Sequence, residues 1–502
     1  MAAYKILESY TVDSAGVTFT INIVDDPAEF VKIYDLRVVS ISPATKIILD
    51  KIREEFIVNV EVAGTAEVEA EKLGAISESV RKAFEREIGA ILRKYFPTAD
   101  KKTYTTLLNY LIQQNIGFGD LEPLLKDSGL EEVVVNNADE QVWVYHRRHG
   151  WLKTTVKIPR ESRIRHYATV IGRDVGKEIT LLKPLMDASL RTGDRVNATL
   201  SPISTKGNTI TIRKFAEKPW TIVDMINTKT IDAPTAALLW LAVENEMSIL
   251  ITGGTGSGKT SMLNVVMTFF PPDQRIISIE DTREVVLPEF MHWIPLETRP
   301  ANPEGKGEVS MLDLVVNSLR MRPDRIVVGE IRRKAEALVL FEAMHTGHSV
   351  YCTLHANNAD ETVQRMTNEP IAVPKGELPA LGLILVQYRN RRTGRRRTLQ
   401  VAEVDDKGDP RVIFQYDAQK DIIKKVGEPK VFYQRIALYT GMTPLQIRKN
   451  LKQKTDILQR LVKAEGANDI RVLGYLFARY YTSREFKPTD IQAALREARG
   501  GS

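Results

Sequence analysis

The chain has 502 residues, 43% hydrophobic and 27% charged, the composition of a soluble globular protein with material for about three domains. Its 70 basic and 64 acidic residues leave a net charge of +6, too small a bias over this length to point by itself to nucleic acid. The only cysteine, Cys352, excludes a disulfide framework and any two- or four-cysteine zinc site within one chain, so no zinc and a reducing cytoplasm are expected; no apolar run is long enough to span a membrane and no signal-peptide core opens the chain.

Residues 10–24 alternate as strand, turn and strand, and 31–41 read as a further strand. Helical spacing of apolar residues follows over 43–56, 77–96 and 104–115, the second helix ended by Pro97 and the third by the run Gly117 to Asp120. These residues, 1–120, read as N-terminal strands with a small helical bundle. Residues 121–218 read as a mixed unit: a hairpin over 133–145, a helix over 159–172, and strands rich in Val, Thr and Ile over 191–200 and 208–215, closed by a linker at 216–219. From 219 to 415 short apolar strands alternate with helices, the pattern of a parallel sheet covered on both faces. A hairpin at 380–404 closes this stretch, and 416–502 read as a helical extension.

The most informative stretch is Ile249-Leu-Ile-Thr-Gly-Gly-Thr-Gly-Ser-Gly-Lys-Thr260. An apolar strand ends in Gly253, and four residues later come Gly258, Lys259 and Thr260, the spacing Gly-x-x-x-x-Gly-Lys-[Ser/Thr] ahead of a helix. Chance matches to four such positions are expected on the order of one time in a hundred in a chain this long. A triphosphate needs many donors close together. Backbone N–H groups of Gly253, Gly254, Thr255, Gly256, Ser257 and Gly258 can supply them where glycine lets the backbone approach, and the N-terminus of the following helix, with Ser261 in its first turn, adds its own. Lys259 can reach the β- and γ-phosphates, and the Thr260 hydroxyl can serve Mg²⁺. ATP and Mg²⁺ are the expected ligands.

Carboxylates follow at strand ends. Glu280-Asp281 closes the apolar run 276–279, with Glu284 close behind, and Glu330 stands just past 326–328. Acids there can hold Mg²⁺ or polarise the attacking water, although a solvated acidic turn would look the same at 280–284. Three of the seven histidines, His345, His348 and His355, fall on different elements; His355, after a strand, is the one placed to sense the γ-phosphate, and the other two read equally well as turn histidines. Arg191, Arg195 and Arg213 precede the linker. An arginine from another domain or subunit that neutralises the transferring phosphoryl group would make hydrolysis depend on assembly. Six arginines between 389 and 397 suit a solvated loop, or else an anionic partner, a membrane surface or a nucleic-acid backbone; Tyr388 alone offers little for base stacking.

Four segments together, Gly253–Thr260, 279–284, 323–332 and 346–356, resemble in order and spacing the Walker A, Asp box, Walker B and His box of the type II/IV secretion ATPase superfamily, most of all its archaeal branch of archaellum motors and pilus assembly ATPases. The segments 191–198 and 209–215 resemble the place where that family's N-terminal domain meets the nucleotide, which puts Arg213 and Phe215 near the base. The resemblance implies an α/β fold: a RecA-like P-loop core with a parallel sheet, preceded by a mixed α+β, PAS-like domain and a small helical unit, and followed by C-terminal helices. It implies a cytoplasmic homo-hexamer, peripheral at the inner face of the cell membrane, that works with a polytopic membrane platform protein on pili, archaella or secretion machinery. Glu330 and one of Glu280 or Glu284 would support hydrolysis, Thr260 and Glu330 would serve Mg²⁺, and Arg191 or Arg195 would be the arginine finger. A DNA-transfer translocase or a nucleotide-gated assembly scaffold are the competing expectations, and no nucleic acid is expected.

Overall fold

Lys5–Ser14 (β1) and Val17–Asp25 (β2) form an antiparallel hairpin around Ala15 and Gly16, both with positive φ. Alternation in β2 buries Val17, Phe19, Ile21 and Ile23 on one face. In the computed structural model, which describes residues 4–39, 41–63, 78–116, 118–190, 192–215, 219–301, 305–483 and 491–498, the contacts divide the chain into two units, Met1–Glu217 and Lys218–Ser502.

In the first unit Ile33–Val38 (β3) follows the hairpin, then the helices Pro43–Ala63 (α1), Glu78–Tyr95 (α2), Lys101–Ile116 (α3) and the short Glu122–Lys126 (α4). Leu49, Ile52, Ile88, Leu92, Leu107 and Leu111 recur at helical spacing and join the buried face of β2 in one core. The chain continues through Leu130–Val135 (β4), Gln141–His146 (β5), Gly150–Lys157 (β6), Glu161–Asp174 (α5), Leu185–Ser189 (β7), Arg195–Thr199 (β8) and Thr209–Arg213 (β9). All nine strands make one sheet in the order β1-β2-β3-β6-β5-β4-β9-β8-β7, closed by parallel pairing of β3 with β6. Asp127, just before β4, reinforces that join by accepting 2.6 Å hydrogen bonds from the hydroxyls of Tyr10 and Tyr34. The sheet therefore runs across residue 120, where the sequence suggested a boundary; the pairing partners lie more than a hundred residues apart, beyond the reach of local pattern.

The second unit opens with Ile222–Asn227 (α6), held by a Thr221–Asp224 capping box, and Ala233–Glu244 (α7), mostly apolar and buried continuously from Thr235 to Val243. It then alternates: Ile249–Gly253 (β10), Lys259–Met267 (α8), Ile276–Glu280 (β11), Trp293–Glu297 (β12), Met311–Leu319 (α9), Arg325–Val328 (β13), Lys334–His345 (α10), Ser349–Leu354 (β14), Ala359–Thr367 (α11) and Leu383–Arg389 (β15). Arg396–Val404 (β16), Pro410–Asp417 (β17) and Ile422–Lys425 (β18) follow, then Lys430–Thr440 (α12), Pro444–Lys463 (α13), Ile470–Thr482 (α14) and Ile491–Ala498 (α15). The sheet order is β12-β11-β13-β14-β10-β15-β16-β17-β18, parallel from β12 to β15 and antiparallel beyond. Separate apolar cores lie on its two faces, one shared with α7, α8 and the C-terminal helices, the other with α10 and α11. The sheet is thus mixed rather than purely parallel. Strands β17 and β18 pair antiparallel and carry it past residue 415; their charged, half-exposed positions give no clean apolar run to signal this in the sequence.

The C-terminal helices are joined to α7, on the sheet of the second unit, by a buried charge. Lys454 on α13 is fully buried; its Nζ lies 2.8 Å from Glu244 at the end of α7, donates to Asn450 and to the Tyr480 hydroxyl, and sits 4.8 Å from the Trp240 ring centroid. Removing one partner of such a pair strands the other and costs about 3–5 kcal/mol. Lys454→Ala is therefore expected to lower the unfolding free energy by that amount in a denaturant titration followed by tryptophan fluorescence; a midpoint equal to wild type contradicts the anchoring role.

Candidate active site

Strand β10 is hydrogen-bonded to β14 on one edge and β15 on the other, and all five of its residues are buried. Where it ends, Gly253 has φ near +153°, and a Cβ there would stand 2.4 Å from both the Gln387 carbonyl and the Ser257 hydroxyl. Gly256 and Gly258 also have positive φ, and Gly258 directly precedes α8. Only glycine meets these demands, which leaves the loop backbone uncovered ahead of the helix N-terminus. Gly254, Thr260 and Ser261 are half-buried and Thr255 is exposed. The Lys259 Nζ donates to the carbonyls of Gly253 and Gly254 at 3.1 and 3.4 Å, folding the cation back over its own loop.

Because β11, β13, β14 and β10 are parallel neighbours, their C-terminal ends share one edge. Glu330, two residues past β13, places Oε1 3.3 Å from Nε2 of His355, which follows β14. His355 Nδ1 is in turn 3.3 Å from the Lys259 Nζ. Burial and the Lys259 charge hold the His355 imidazole below its usual pKa, against the pull of Glu330. A cleft of about 680 Å³ opens on this side, lined among others by Glu330, Arg332, His355 and Arg365.

Glu280, at the end of β11, is 3% exposed and stands against Gly329. Its Oε1 accepts from the backbone N–H groups of Glu284 and Val285 at 2.9 and 3.0 Å, while Oε2 is buried without a hydrogen-bond partner. Burial pushes its pKa up to about 7, with a further push from the Glu284 charge. The half-buried Glu284 is tied down through its backbone, its carbonyl accepting from Asn264.

Two features escaped the sequence reading. Arg332 bridges the acids, donating to Glu330 Oε2 at 2.8 Å and Asp281 Oδ2 at 2.7 Å; its position two residues after Glu330 was the available signal. The arginine cluster is not a single patch. Arg397 is 5% exposed and paired with Asp421, Arg391 and Arg392 are exposed, and Arg389 and Arg396 lie against the phosphate loop. His345 ends α10 with its Nε2 2.6 Å from Glu377, and His348, just before β14, is bonded to Thr346 and the Ala343 carbonyl.

In the first unit, Arg195 and Arg213 face each other in the register of β8 and β9. Phe215 donates its backbone N–H to Asp194 at 2.6 Å, and its ring leaves no room for a Cβ at Gly193. These three residues thus gather at one end of their hairpin. Arg191 lies outside the described residues.

A glycine loop between a parallel strand and a helix, with carboxylates on the neighbouring strand ends, defines a P-loop α/β protein with a RecA-like core. Residues 118–407 match the family model described as type II/IV secretion system protein, and the chain belongs to that family. The uncharacterized protein MJ0900 of Methanocaldococcus jannaschii is 34% identical over 417 residues, 80% of this chain and 75% of that one. The putative conjugal transfer protein Rv3659c of Mycobacterium tuberculosis is 35% identical over 311 residues, 59% of this chain and 86% of its own. The solved ATPase DotB of Legionella pneumophila is similar at 20% identity over 70% of this chain and 92% of that chain, with a TM-score of 0.43.

The state of Glu280 gives a pH signature. Its folded pKa is raised above the ordinary glutamate value, so its ionisation opposes folding; the penalty is absent below about 4.5 and grows as pH rises toward about 7. Glu280→Gln keeps an acceptor for the two N–H groups and cannot ionise. Its melting temperature relative to wild type is expected to be higher at pH 8 than at pH 5, and a difference independent of pH contradicts the assignment.

Proposed function

We propose that this chain is an ATP-hydrolysing motor, active as a homo-hexamer on the cytoplasmic side of a membrane, that drives assembly or rotation of a type IV pilus-like filament, an archaellum or a secretion pseudopilus through a polytopic membrane platform protein. The observation that carries the reading is the meeting of Lys259, His355 and Glu330 at the mouth of the phosphate loop. Family membership supports it. No helix among the described residues is long and apolar enough to cross a membrane, which is compatible with a peripheral motor that needs a membrane partner.

Lys259 leaves its two carbonyls for the β- and γ-phosphates. The buried, partnerless Ser257 hydroxyl and the glycines whose Cβ positions are blocked fit a phosphate cradle. Oxygen donors suit magnesium, which keeps most of its waters and takes few protein ligands; the Thr260 hydroxyl and the Glu330 carboxylate would hold it. When bound, the ion neutralises charge on the phosphates. Glu330, released from Arg332, orients the attacking water and draws its proton. His355 reads the γ-phosphate. Glu280, its pKa raised by burial to about 7, shapes the turn that carries Glu284, which makes Glu284 the more readily ionised acid for charge work. Arg195 or Arg191 is the proposed arginine finger, supplied by another domain or subunit, and Arg213 and Phe215 are the proposed residues for the base. The N-terminal strands and helices and the C-terminal helices lie largely outside the family match and are where contacts with a particular filament system reside.

The name of the mycobacterial relative favours one alternative, a DNA-transfer ATPase. Phosphate release tests both. Glu330→Gln is expected to lower kcat by about 10²–10⁴-fold, and double-stranded DNA to leave the wild-type rate unchanged. A Glu330→Gln rate equal to wild type contradicts the catalytic assignment. DNA stimulation that fades steeply with salt favours the alternative.

A further inference from the structure

The order of the strands gives the site a direction. On one side of β10 stands β14 with His355, then β13 leading to Glu330; on the other stand β15 and β16, whose hairpin reaches the phosphate loop. A triphosphate laid across the loop for hydrolysis by Glu330 points its γ-phosphate toward β13 and β14. Its α-phosphate and nucleoside then fall on the β15–β16 side.

Two guanidinium groups meet the loop there. A Cβ at Gly256 would lie 2.7 Å from Arg389 Nη1, and one at Gly258 would lie 3.4 Å from Arg396 Cδ. Arg396 Nε donates to the Gly256 carbonyl at 3.0 Å. Arg389 and Arg396 are direct partners in the β15–β16 register, so one cross-strand pair brings both guanidinium groups to the loop. The hairpin that holds them is stiff. Arg397, the next residue, turns to the other face, where it binds Asp421 through Nε and Nη2 at 2.7 and 3.0 Å and the Thr228 carbonyl at 3.1 Å. Gln387 and Thr398 are hydrogen-bonded across the same two strands at 3.0 Å.

We propose that Arg389 and Arg396 grip the nucleoside end of the bound nucleotide at its α-phosphate, from within the same chain that supplies the phosphate loop. The proposal rests on the hydrolytic reading above, which sets the direction of the nucleotide. The two arginines act as binding residues and take no part in the transfer of the γ-phosphate. ADP and ATP share the α-phosphate and are held alike, whereas pyrophosphate fills only the β- and γ-positions near Lys259 and does not reach the hairpin.

The experiment measures binding of fluorescent ADP and ATP analogues with Mg²⁺, and displacement of the ADP analogue by pyrophosphate, on the full chain. Arg389→Ala, Arg396→Ala and Arg396→Lys are compared with Arg391→Ala, an exposed arginine near the hairpin tip. Both alanine variants at 389 and 396 are expected to bind ADP and ATP about 10- to 100-fold more weakly, the worth of a charge-assisted hydrogen bond, with pyrophosphate affinity retained. In phosphate release their loss falls on KM rather than kcat, Arg396→Lys recovers part of the affinity, and Arg391→Ala matches wild type. Pyrophosphate affinity that falls in step with ADP shows that the arginines only brace the loop and overturns the proposal. So does a fall in kcat with nucleotide affinity intact, or no change at all. Wild-type protein that binds and hydrolyses ATP while the variants are unaffected defeats this inference alone; wild-type protein that binds neither nucleotide defeats the hydrolytic reading with it.

Discussion

Strand β10 is paired along both edges by parallel strands, and the candidate site depends on that pairing. A strand so held cannot slide or tilt without breaking two ladders, so the loop at its end is fixed between β14 and β15. Because the five strands from β11 to β15 run the same way, everything that follows their ends is delivered to one edge: Glu280, Glu330, His355 and the hairpin arginines. Complete burial of β10, β11, β13 and β14 keeps water away from their ladders and makes that edge rigid.

Buried polar groups set the height of each strand as well as its neighbours. Arg325 begins β13 fully buried, donating to Gln274 at 2.7 Å, to the Val243 carbonyl at 2.9 Å and to the Tyr351 hydroxyl, with Phe270 5.2 Å from its guanidinium. It thereby ties β13 to α7 and β14, and the far end of β13 carries Glu330. At the other edge of the unit, Arg397 and Asp421 fasten β16 to the β17–β18 turn. Fixed charges on β13 and β16 thus brace the sheet on either side of β10, the strand that carries the glycine loop.

The sequence made the phosphate loop legible because its chemistry is local: spacing, glycine and one lysine suffice. The same holds for the strand-end acids and for His355, since each directly follows an apolar run. Partnership across distance was not legible. The joining of β1–β3 to β4–β9 depends on pairing between Ile33 and Lys153, and the arginine cluster resolved into separate roles only once Gly256, Gly258 and Asp421 were seen beside it. Short edge strand β12 holds Pro295 between half-exposed neighbours and lacks alternation. The protonation of Glu280 was equally hidden, because desolvation belongs to the surroundings of a carboxylate and not to its sequence.

The proposed orientation of the nucleotide joins these features, since it assigns one flank of the loop to hydrolysis and the other to recognition. The most direct measurement is a structure of the full chain with Mg²⁺ and a non-hydrolysable ATP analogue. The γ-phosphate is expected beside Glu330 and His355, with the α-phosphate and ribose beside Arg389 and Arg396. A nucleotide lying in the opposite sense, or bound away from Gly253–Thr260, contradicts it.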